Sequence, residues 1–591
     1  MKARIRIAAW LSMAGALAAS GCSGFGTECS TDADCTAKNP AAYCNPDLNV
    51  CFVRPGPVVT NIVPANQATG VTAVGATVTA TFSEAIADAG VKDTTFIVDG
   101  QGFETFGDYT ASANATQETF TPLGAGLAVG TEYTVKLTAE IKDLQGRALI
   151  PFQSTFTTSD GVWQSDLSYT ASTNLGDYSV AANYFGEVIA ACDVQIGTTS
   201  DYYLAAGVST GVLANGNTPN IDLTVYNVAT DEVFGPQVAL SANGRGFVAF
   251  NVISGGTDYA KASTYDPGTQ SWAAPIDLPV PVVTPALEAT VVALPAGNAV
   301  AAWVESAAGK FKVKGRAYAA TLGWGTGSFV IQGDPNSNCE DLRLATDLSF
   351  DVLAVWTDIG PSPSQVQVAY FPGTGTFSAP VPISDATVAS SSPETALSYY
   401  GKGGVVWQAG ATTATTHVYG RSFDPTATTA FGALKQIDTS TTNAYLPHVG
   451  AAANGDLVAI WIEQTTAGGK VMTSRFTASS GTWGAPDTLV NDTAALPAGA
   501  ALTVDAGGNV LAVWLQQTAS AYQAYARRFT ATGGWTPALG SPATRITSGT
   551  DPVYNAPQMA VDALGLGSVF VSRLDMSVSP NLLYLDYIAF Y

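Results

Sequence analysis

The stretch Asp505–Trp514, DAGGNVLAVW, decides the fold of this chain. Its first five residues, with two adjacent glycines, are typical of a tight turn, and the next five are apolar and end on a Trp, which predicts a hairpin turn followed by a buried strand. Further copies end at Cys192, Phe250, Trp303, Trp356, Trp407, Trp461 and Val571. The eight copies recur every 51 to 58 residues, and such a period in a β-rich sequence predicts a repeat architecture whose units pack on their neighbours.

Each copy is followed by further predicted strands, as in Val471–Gly481 and Thr482–Val490. Three or four strands per unit predict one antiparallel blade of a β-propeller. The chain ends on a second-strand sequence, Leu582–Tyr591, whereas Val162–Thr170 has the form of the missing outer strand. We therefore expect residues 159–591 to form a propeller of eight blades, with seven as the alternative, closed by its own N-terminal strand.

Composition limits the classes of protein to which the chain can belong. Its 591 residues are too many for one core, so several domains are expected. Only 12% of the residues are charged, and 47 acidic residues against 25 basic ones give a net charge of −22. This charge argues against a nucleic-acid partner. The two histidines, His417 and His448, offer little material for a histidine-based metal site or triad.

The N-terminus has the pattern of an export signal over residues 1–21. Basic residues precede the apolar run Ile7–Ala19, which is too short to span a membrane. The following Ser20-Gly21-Cys22 resembles a bacterial lipobox, although Ala19 departs from the preferred Leu; an ordinary signal peptide is the alternative. The resemblance implies lipidation of Cys22 and a membrane partner through the lipid anchor. With Ser23 next, it also implies an outer-membrane or cell-surface lipoprotein.

Residues 22–54 form a Cys-rich segment. Cys29, Cys35, Cys44 and Cys51 in an exported chain predict two disulfides, with three possible pairings. Zinc is the alternative, but the spacings contain no C-x2-C pair. The segment resembles the short Cys-rich modules of bacterial surface lipoproteins, which implies a stapled spacer or a small adhesion module.

Residues 55–158 alternate β-branched and polar residues, as in Val74–Glu84 and Thr131–Ile141, which predicts sandwich strands. Phe82-Ser83-Glu84, Leu127–Tyr133 and Phe156-Thr157-Thr158 resemble the motifs of a bacterial Ig-like domain of the S-layer and surface-protein type. The resemblance implies a spacer or adhesive module without catalysis. The predicted fold class is therefore all-β: a Cys-rich segment, an Ig-like sandwich and a propeller.

The candidate binding site is a ring of acids. Glu305, Asp358 and Glu463 stand two residues after the strand-ending Trp, and Gln516 occupies the same phase. Equivalent positions of a propeller lie on one ring, so we expect these carboxylates near one mouth of the channel, where they are candidates for binding Ca2+ or glycan hydroxyls. A solvated hairpin is the alternative interpretation. No other cofactor is predicted.

Other recurrent residues favour structural roles. The strand-ending tryptophans are interpreted as packing residues between blades rather than a sugar-stacking surface. One arginine per blade argues for local pairing; these are Arg316, Arg421, Arg475 and Arg527. The turn Tyr265–Trp272 resembles the Asp-box turns of sialidase-type propellers, but its spacing departs from that pattern, so it supports a blade and no activity. Cys192 and Cys339 fall in different blades.

Three functional hypotheses follow. The first is a surface protein whose propeller binds a glycan or a protein ligand in its loops. The second is a glycan hydrolase or lyase of sialidase-like propeller type; it is less favoured, because an enzyme needs an acid and a base at one place and the sequence shows only a diffuse ring. The third is a purely structural envelope component.

Overall fold

A computed structural model gives the structure of the protein. It describes residues 28–37, 42–53, 55–101, 103–123, 126–172, 175–195, 202–209, 223–283, 285–410, 415–465, 468–492, 495–518, 521–577 and 581–591. The predicted signal peptide and the predicted lipidation site Cys22 lie outside the described residues. No helix among the described residues is long and apolar enough to cross a membrane.

The Cys-rich segment is a small stapled unit. It contains helix α1 (Asp32–Thr36) and the hairpin of β1 (Ala42–Asn45) and β2 (Val50–Val53). Disulfides join Cys29 to Cys44 and Cys35 to Cys51. The prediction of two disulfides is confirmed, and because all four sulfurs are used in them, zinc binding by this set is wrong.

The Ig-like domain is a sandwich of two sheets. Its strands are β3 (Val59–Val63), β4 (Ala68–Val71), β5 (Val78–Phe82), β6 (Phe96–Gly100), β7 (Phe103–Glu104), β8 (Gly107–Ala111), β9 (Gln117–Pro122), β10 (Glu132–Leu137) and β11 (Phe152–Thr158), with a 3-10 turn at Asp88–Gly90. One sheet has the order β3-β5-β9-β8 and the other β4-β11-β10-β6-β7. Alternate residues point inward, so Phe96, Phe120, Tyr133 and Phe156 form a buried aromatic core between the sheets.

Beyond the sandwich, the described residues form eight antiparallel sheets of four or five strands, numbered here in chain order. Strand β12 (Leu167–Ser172) comes first but belongs to sheet 8. Sheet 1 contains β13 (Leu175–Ala182), β14 (Val188–Gln195), β15 (Tyr202–Val208) and β16 (Thr224–Asn227). Sheet 2 contains β17 (Glu232–Leu240), β18 (Gly246–Ser254), β19 (Thr257–Asp266), β20 (Ser271–Trp272) and β21 (Ile276–Asp277).

Sheets 3 to 5 have the same plan. Sheet 3 contains β22 (Ala286–Leu294), β23 (Asn298–Ala307), β24 (Lys310–Ala319), β25 (Gly323–Trp324) and β26 (Phe329–Gln332), with a 3-10 turn at Pro295–Gly297. Sheet 4 contains β27 (Cys339–Thr346), β28 (Asp351–Asp358), β29 (Gln365–Pro372) and β30 (Val381–Pro382). Sheet 5 contains β31 (Ser390–Leu397), β32 (Gly403–Ala409), β33 (His417–Phe423) and β34 (Lys435–Gln436).

Sheets 6 to 8 complete the series. Sheet 6 contains β35 (Ala444–Ala451), β36 (Leu457–Gln464), β37 (Gly469–Thr477), β38 (Thr482–Trp483) and β39 (Asp487–Asp492). Sheet 7 contains β40 (Ala498–Val504), β41 (Val510–Thr518), β42 (Ala521–Thr530), β43 (Gly534–Thr536) and β44 (Thr544–Arg545). Sheet 8 contains β45 (Gln558–Val561), β46 (Gly567–Asp575), β47 (Leu582–Phe590) and β12.

The first strand of each sheet is its inner strand. Each inner strand packs against the inner strand of the next sheet, and β45 of sheet 8 packs against β13 of sheet 1, so the series closes into a ring. Sheet 8 is completed by β12, which pairs antiparallel with β47 in a register that places Leu167 opposite Tyr587. The predicted closure by the N-terminal strand is confirmed, and it covers the edge that an open ring would expose.

A repeated turn joins each inner strand to the second strand of its sheet. In sheet 7, Asp505 Oδ1 accepts a hydrogen bond from Asn509 N at 2.9 Å, and Gly508 N donates to Asp505 O. Gly508 has φ +84°, a conformation in which an L side chain is strained. The same arrangement recurs at Asp562, whose Oδ1 accepts from the backbone N–H groups of Leu564 and Leu566. These turns lie at one end of the ring, here called the turn face.

The Ig-like domain packs against the turn face. Val129 N donates to Leu564 O at 2.9 Å, and Asn509 Nδ2 donates to Thr131 Oγ1 at 3.2 Å. The buried Arg528 joins Asp160, which follows the sandwich, to Asp505 in the sheet 7 turn. These contacts cover the turn face at sheets 7 and 8. The opposite end of the ring, where the inner strands begin, is here called the open mouth.

Aromatic side chains narrow the channel at the turn face. Tyr184 of the sheet 1 turn and Tyr399 of the sheet 5 turn meet edge to face, with ring centroids 5.4 Å apart. Sheets 1 and 5 are four positions apart in the ring, so this contact crosses the channel. Phe103 of the Ig-like domain packs beside it against Ala453 and Ala506. A ligand therefore has its access to the channel from the open mouth.

Candidate functional site

The predicted acids stand near the open-mouth end of the ring, and each is committed to partners near it. Glu305 and Glu463 are buried, with exposed fractions of 8% and 5%. Glu305 Oε2 accepts from Trp303 Nε1 at 2.9 Å, and Glu463 Oε1 accepts from Trp461 Nε1 at 3.1 Å. Residues two apart on a strand share a face, so each acid satisfies the indole of its own strand. Burial raises the pKa of Glu463.

Asp358 has a different local role. Its carboxylate accepts from Ser337 Oγ at 2.6 Å, from Asn338 N at 2.9 Å and from Gln367 Nε2 at 2.9 Å, which ties the loop before β27 to the sheet. The structure does not bring the three predicted acids to one point. Within the described ranges, the only group of three ligand atoms close enough to share a metal ion is Cys29, Cys35 and Cys44, which are in disulfides.

The recurrent Trp residues, and Arg316 and Arg527 among the recurrent arginines, have the structural roles expected. The five tryptophans are fully buried in clusters that join neighbouring sheets. Arg527 donates to Leu489 O of sheet 6 at 2.9 Å and to Ala538 O at 2.9 Å. Arg316 donates to Asp277 O of sheet 2 at 2.7 Å. These guanidinium groups join adjacent sheets and do not converge on a common pocket.

The remaining reactive side chains are spread over the ring. His417 Nδ1 lies 2.8 Å from Asp438 Oδ2 at the start of β33. Cys192 and Cys339 are buried in sheets 1 and 4, and burial raises the pKa of the Cys339 thiol to about 12. A thiol with such a pKa is a poor nucleophile at neutral pH.

Sequence reasoning missed a repeated β-bulge in the inner strands. The pairing register between inner and second strand shifts at the same place in sheets 2 to 7. The first bulge residue has a left-handed φ between 51° and 59°; the six residues are Gly235, Glu288, Asp341, Ser392, Leu446 and Gly499. For an L residue this conformation costs about 1–2 kcal/mol. Its repetition in six sheets near the open mouth indicates that the bulge has a structural or functional role.

Carboxylates in or beside the bulges link three pairs of neighbouring sheets. Glu288 Oε2 accepts from Leu342 N of sheet 4 at 2.8 Å. Asp341 Oδ2 accepts from Ser392 N of sheet 5 at 3.1 Å. In the same sense, Asp177 Oδ2 accepts from Gly235 N of sheet 2 at 3.2 Å. Carboxylate-to-backbone bonds of this kind therefore join sheets 1 and 2, sheets 3 and 4, and sheets 4 and 5.

Polar side chains of the second strands make hydrogen bonds to the bulge residues of the inner strands. Asn251 Oδ1 accepts from Ala289 N at 3.3 Å, Asp193 Oδ1 accepts from Asp177 N at 2.7 Å, and Thr357 Oγ1 donates to Asp341 Oδ2 at 3.0 Å. Asn251 and Asp193 occupy comparable positions in sheets 2 and 1. Burial raises the pKa of Asp193 to about 8, and the charge of Asp177 adds to the effect.

A cavity of about 350 Å3 lies at the bulges of sheets 2, 3 and 4. Its wall combines apolar and polar side chains, which are Phe234, Leu287, Gln237, Asn251, Glu288, Thr290 and Arg343. Burial raises the pKa of Glu288. Arg343 Nε donates to Glu394 Oε1 of the next sheet at 2.9 Å. We call this cavity, with its bulge residues, the mouth pocket.

Asn251 is the most distinctive residue of the mouth pocket. It is only 4% exposed, and its Oδ1 is taken by the bulge of sheet 3. Its Nδ2 makes no hydrogen bond to another described residue and faces Gly235 on the pocket wall. Nδ2 is not sealed from solvent, so water or a ligand in the pocket can accept from it.

The inner strands do carry a signal for the bulges. Gly-Pro-Gln at 235–237, Ser-Pro-Glu at 392–394 and Leu-Pro-His at 446–448 place a Pro at the same phase of three strands. Within sheets, Pro is confined to edge strands, strand starts and bulges, and the inner strands are the edge strands of their sheets. The sequence therefore contained a marker for the pocket-forming position, but the tryptophan repeat drew attention to the neighbouring strand.

Comparisons with known proteins agree with the domain organisation. Residues 54–158 match the family described as bacterial Ig-like domain, which confirms the resemblance seen in the sequence. No curated protein matches the chain.

Solved structures resemble the chain only distantly. A polysaccharide lyase titled as an ulvan lyase bound to a GlcA-Rha3S glycan has a TM-score of 0.38 and 9% identity, covering 60% of this chain and 95% of its own. An α-L-arabinofuranosidase of Fusarium graminearum with arabinobiose has a TM-score of 0.32 and 10% identity, covering 60% and 92%. A fungal alcohol oxidase in complex with copper has a TM-score of 0.39 and 11% identity, covering 72% and 93%. Similarity at this level carries no functional inference.

Proposed function

We propose that this protein is an exported, surface-anchored glycan-binding protein whose ligand occupies the mouth pocket. The observation that supports this most is the buried Asn251 amide, whose Nδ2 lacks a partner among the described residues and faces the pocket. A sugar hydroxyl can accept from Nδ2 and donate to a neighbouring carboxylate such as Glu288. Phe234 and Leu287 supply the apolar surface that such pockets combine with a few placed polar groups.

The proposed location rests on residues 1–158. The signal-peptide and lipobox patterns support export and anchoring at Cys22, and the two disulfides fit an oxidising compartment. The Ig-like domain separates the Cys-rich segment from the ring and occupies the turn face. This arrangement leaves the open mouth for a glycan, or for a protein ligand in its place.

Glycan cleavage is the second candidate function. It is favoured by the adjacent bulge carboxyls Glu288 and Asp341, because burial raises the pKa of Glu288, whereas Asp341 accepts hydrogen bonds from Thr357 Oγ1 and Ser392 N. Two carboxyls in such different environments are the arrangement that glycosidases use for an acid and its partner base. Under this hypothesis Glu288 donates the proton and Asp341 acts as the base or nucleophile.

The test uses the purified protein with Cys22→Ser to prevent lipidation, on a glycan array with a cleavage assay on the same panel. We expect selective retention at about pH 9.5, where a carboxyl with the pKa of about 8 found at the comparable Asp193 is ionised. At that pH Asn251→Asp is expected to weaken retention at least about tenfold, since the oxygen that holds Ala289 N is kept while the Nδ2 donor is lost. Asp193 shows that this position accepts an Asp. If cleavage is detected, Glu288→Gln is expected to abolish it.

Asn454→Asp is the matched control, because it makes the same change at an exposed residue of the turn face. It is expected to leave retention unchanged. Failure to retain any glycan, or equal weakening by both Asp variants, would contradict the proposal.

A further inference from the structure

We infer that the mouth pocket selects glycans without anionic groups and excludes uronate-bearing and sulfated ones. The inference rests on the proposed function, and it names the class of ligand that the pocket accepts. It is carried by the charges at the pocket and by how each of them is already paired.

Carboxylates outnumber cations when the residues beside the pocket are included. Among the described residues, the pocket wall has one carboxylate, Glu288, and one cation, Arg343. Asp341 and Glu394 stand on the next two inner strands and act electrostatically on Arg343. An anionic sugar would therefore meet like charges at short range. Like-charge contacts of this kind cost enough to exclude a wrong partner.

The single guanidinium already has a carboxylate partner. Arg343 Nε donates to Glu394 Oε1 at 2.9 Å, and its Nη1 donates to Leu342 O at 3.0 Å. Recognition of a carboxylate or sulfate by Arg usually needs a bidentate pair of N–H groups. The Arg343 side chain is 47% exposed, but its charge is shared with Glu394, Asp341 and Glu288, so an anion on its free side would also be repelled by these carboxylates.

The carboxylates cannot retreat from an incoming anion. Glu288 is tied to Leu342 N of sheet 4, and Asp341 to both Thr357 Oγ1 and Ser392 N. These bonds hold the left-handed bulges in place, so moving a carboxylate would also disturb the inner strand. The charge at the pocket is therefore a fixed part of the architecture.

The remaining polar groups of the pocket are uncharged donors and acceptors, which can hydrogen-bond to sugar hydroxyls. Asn251 Nδ2 is an uncharged donor, and the side chains of Gln237 and Thr290 can donate or accept. A hydroxyl both donates and accepts, so it can satisfy this set without bringing in charge. The net charge of −22 adds a long-range repulsion of polyanions that salt screens within about 8–10 Å.

The experiment compares ligands that differ only in charge. The purified Cys22→Ser protein is titrated by calorimetry with the best-retained neutral oligosaccharide and with the same oligosaccharide oxidised at C6 to the uronate. Methyl-esterified and de-esterified oligogalacturonates serve as a second pair. We expect the anionic member of a pair to bind at least about tenfold more weakly at about 20 mM salt. This ratio of dissociation constants, called the affinity gap, is expected to narrow at about 500 mM salt.

A double variant tests the origin of the selectivity. Glu288→Gln with Asp341→Asn removes two charges while keeping side-chain size and an acceptor oxygen, and Asn tolerates the left-handed conformation at 341. We expect this variant to reduce the affinity gap between the neutral and the anionic member of a pair severalfold. Glu132→Gln with Asp108→Asn removes two charges from exposed positions of the Ig-like domain and is expected to leave the gap unchanged.

The outcomes separate the two claims. Equal or tighter binding of the anionic member would overturn the ligand class while the proposed function stands. An unchanged gap in the double variant, with its neutral binding intact, would overturn the charge argument. Failure to bind any member of the array would defeat the proposed function, and the inference with it.

Discussion

Asp193 shows how single side chains hold the channel wall. It is 3% exposed, and its Oδ1 accepts from the backbone of Asp177 at 2.7 Å. Gly176 is required beside it, because a Cβ at that position would lie 1.9 Å from Asp193 Oδ2. Buried residues of this kind define the shape of the channel at the cost of desolvating a carboxyl.

The raised pKa of Asp193 makes stability depend on pH. Its folded-state pKa is about 8 against an ordinary value of 3.8, so the native state retains a proton that the unfolded chain loses. The stabilisation is complete below about pH 4 and is lost as pH rises through about 8. Asp193→Asn removes this loss, and we expect its free energy of unfolding in urea to fall less between about pH 5 and 8 than that of the parent. Equal pH slopes for the two proteins would refute this assignment.

At the same scale, the tryptophans were predictable and their partners were not. A large apolar residue at one phase of every repeat is visible in the sequence, and Trp303 and Trp461 are buried as expected. That Glu305 and Glu463 accept from those indoles depends on side-chain direction within a strand. The sequence shows an acid in such a place but not whether it faces a ligand or its own neighbour.

Turns and strands are the elements that the sequence predicted best. The DAGGN turn and the apolar strand after it are local patterns, and the structure has them at Asp505–Asn509 and in β41. The bulges are less visible, because four of the six left-handed positions are not Gly. Their conformation is enforced by hydrogen bonds from adjacent sheets, such as Leu342 N to Glu288, which local propensity cannot reveal.

The sheet 7 turn also joins the domains, which gives a prediction. Asp505→Ala leaves the guanidinium of Arg528, 3% exposed, with Asp160 as its remaining carboxylate partner. Loss of one partner of a buried ion pair costs about 3–5 kcal/mol, and we expect a loss of that order in denaturant unfolding.

The turn itself should survive this substitution, because sheet 6 forms the same turn with Ala452 at the equivalent position. Asn454→Ala, at an exposed residue of that sheet 6 turn, is the control and is expected to change stability by less than about 0.5 kcal/mol. If the two substitutions lower the free energy of unfolding by similar amounts, the Arg528–Asp505 ion pair does not stabilise the fold.

At the scale of the whole molecule, the repeat period and the strand order at the two ends predicted the closed ring. The position of the Ig-like domain was not predictable, because the contacts of Val129 and Phe103 with the turn face join segments hundreds of residues apart. The mouth pocket was missed for the same reason, since it draws residues from three sheets. Its ligand-facing groups come together only when the ring closes.

The most direct test of the account is a crystal structure of the protein with the glycan that the array identifies. We expect a sugar ring in the mouth pocket, with a hydroxyl oxygen about 3 Å from Asn251 Nδ2 and a second hydroxyl donating to the carboxylate of Glu288. A glycan ordered on the outer strands or on the Ig-like domain, with the mouth pocket unchanged, would contradict the account.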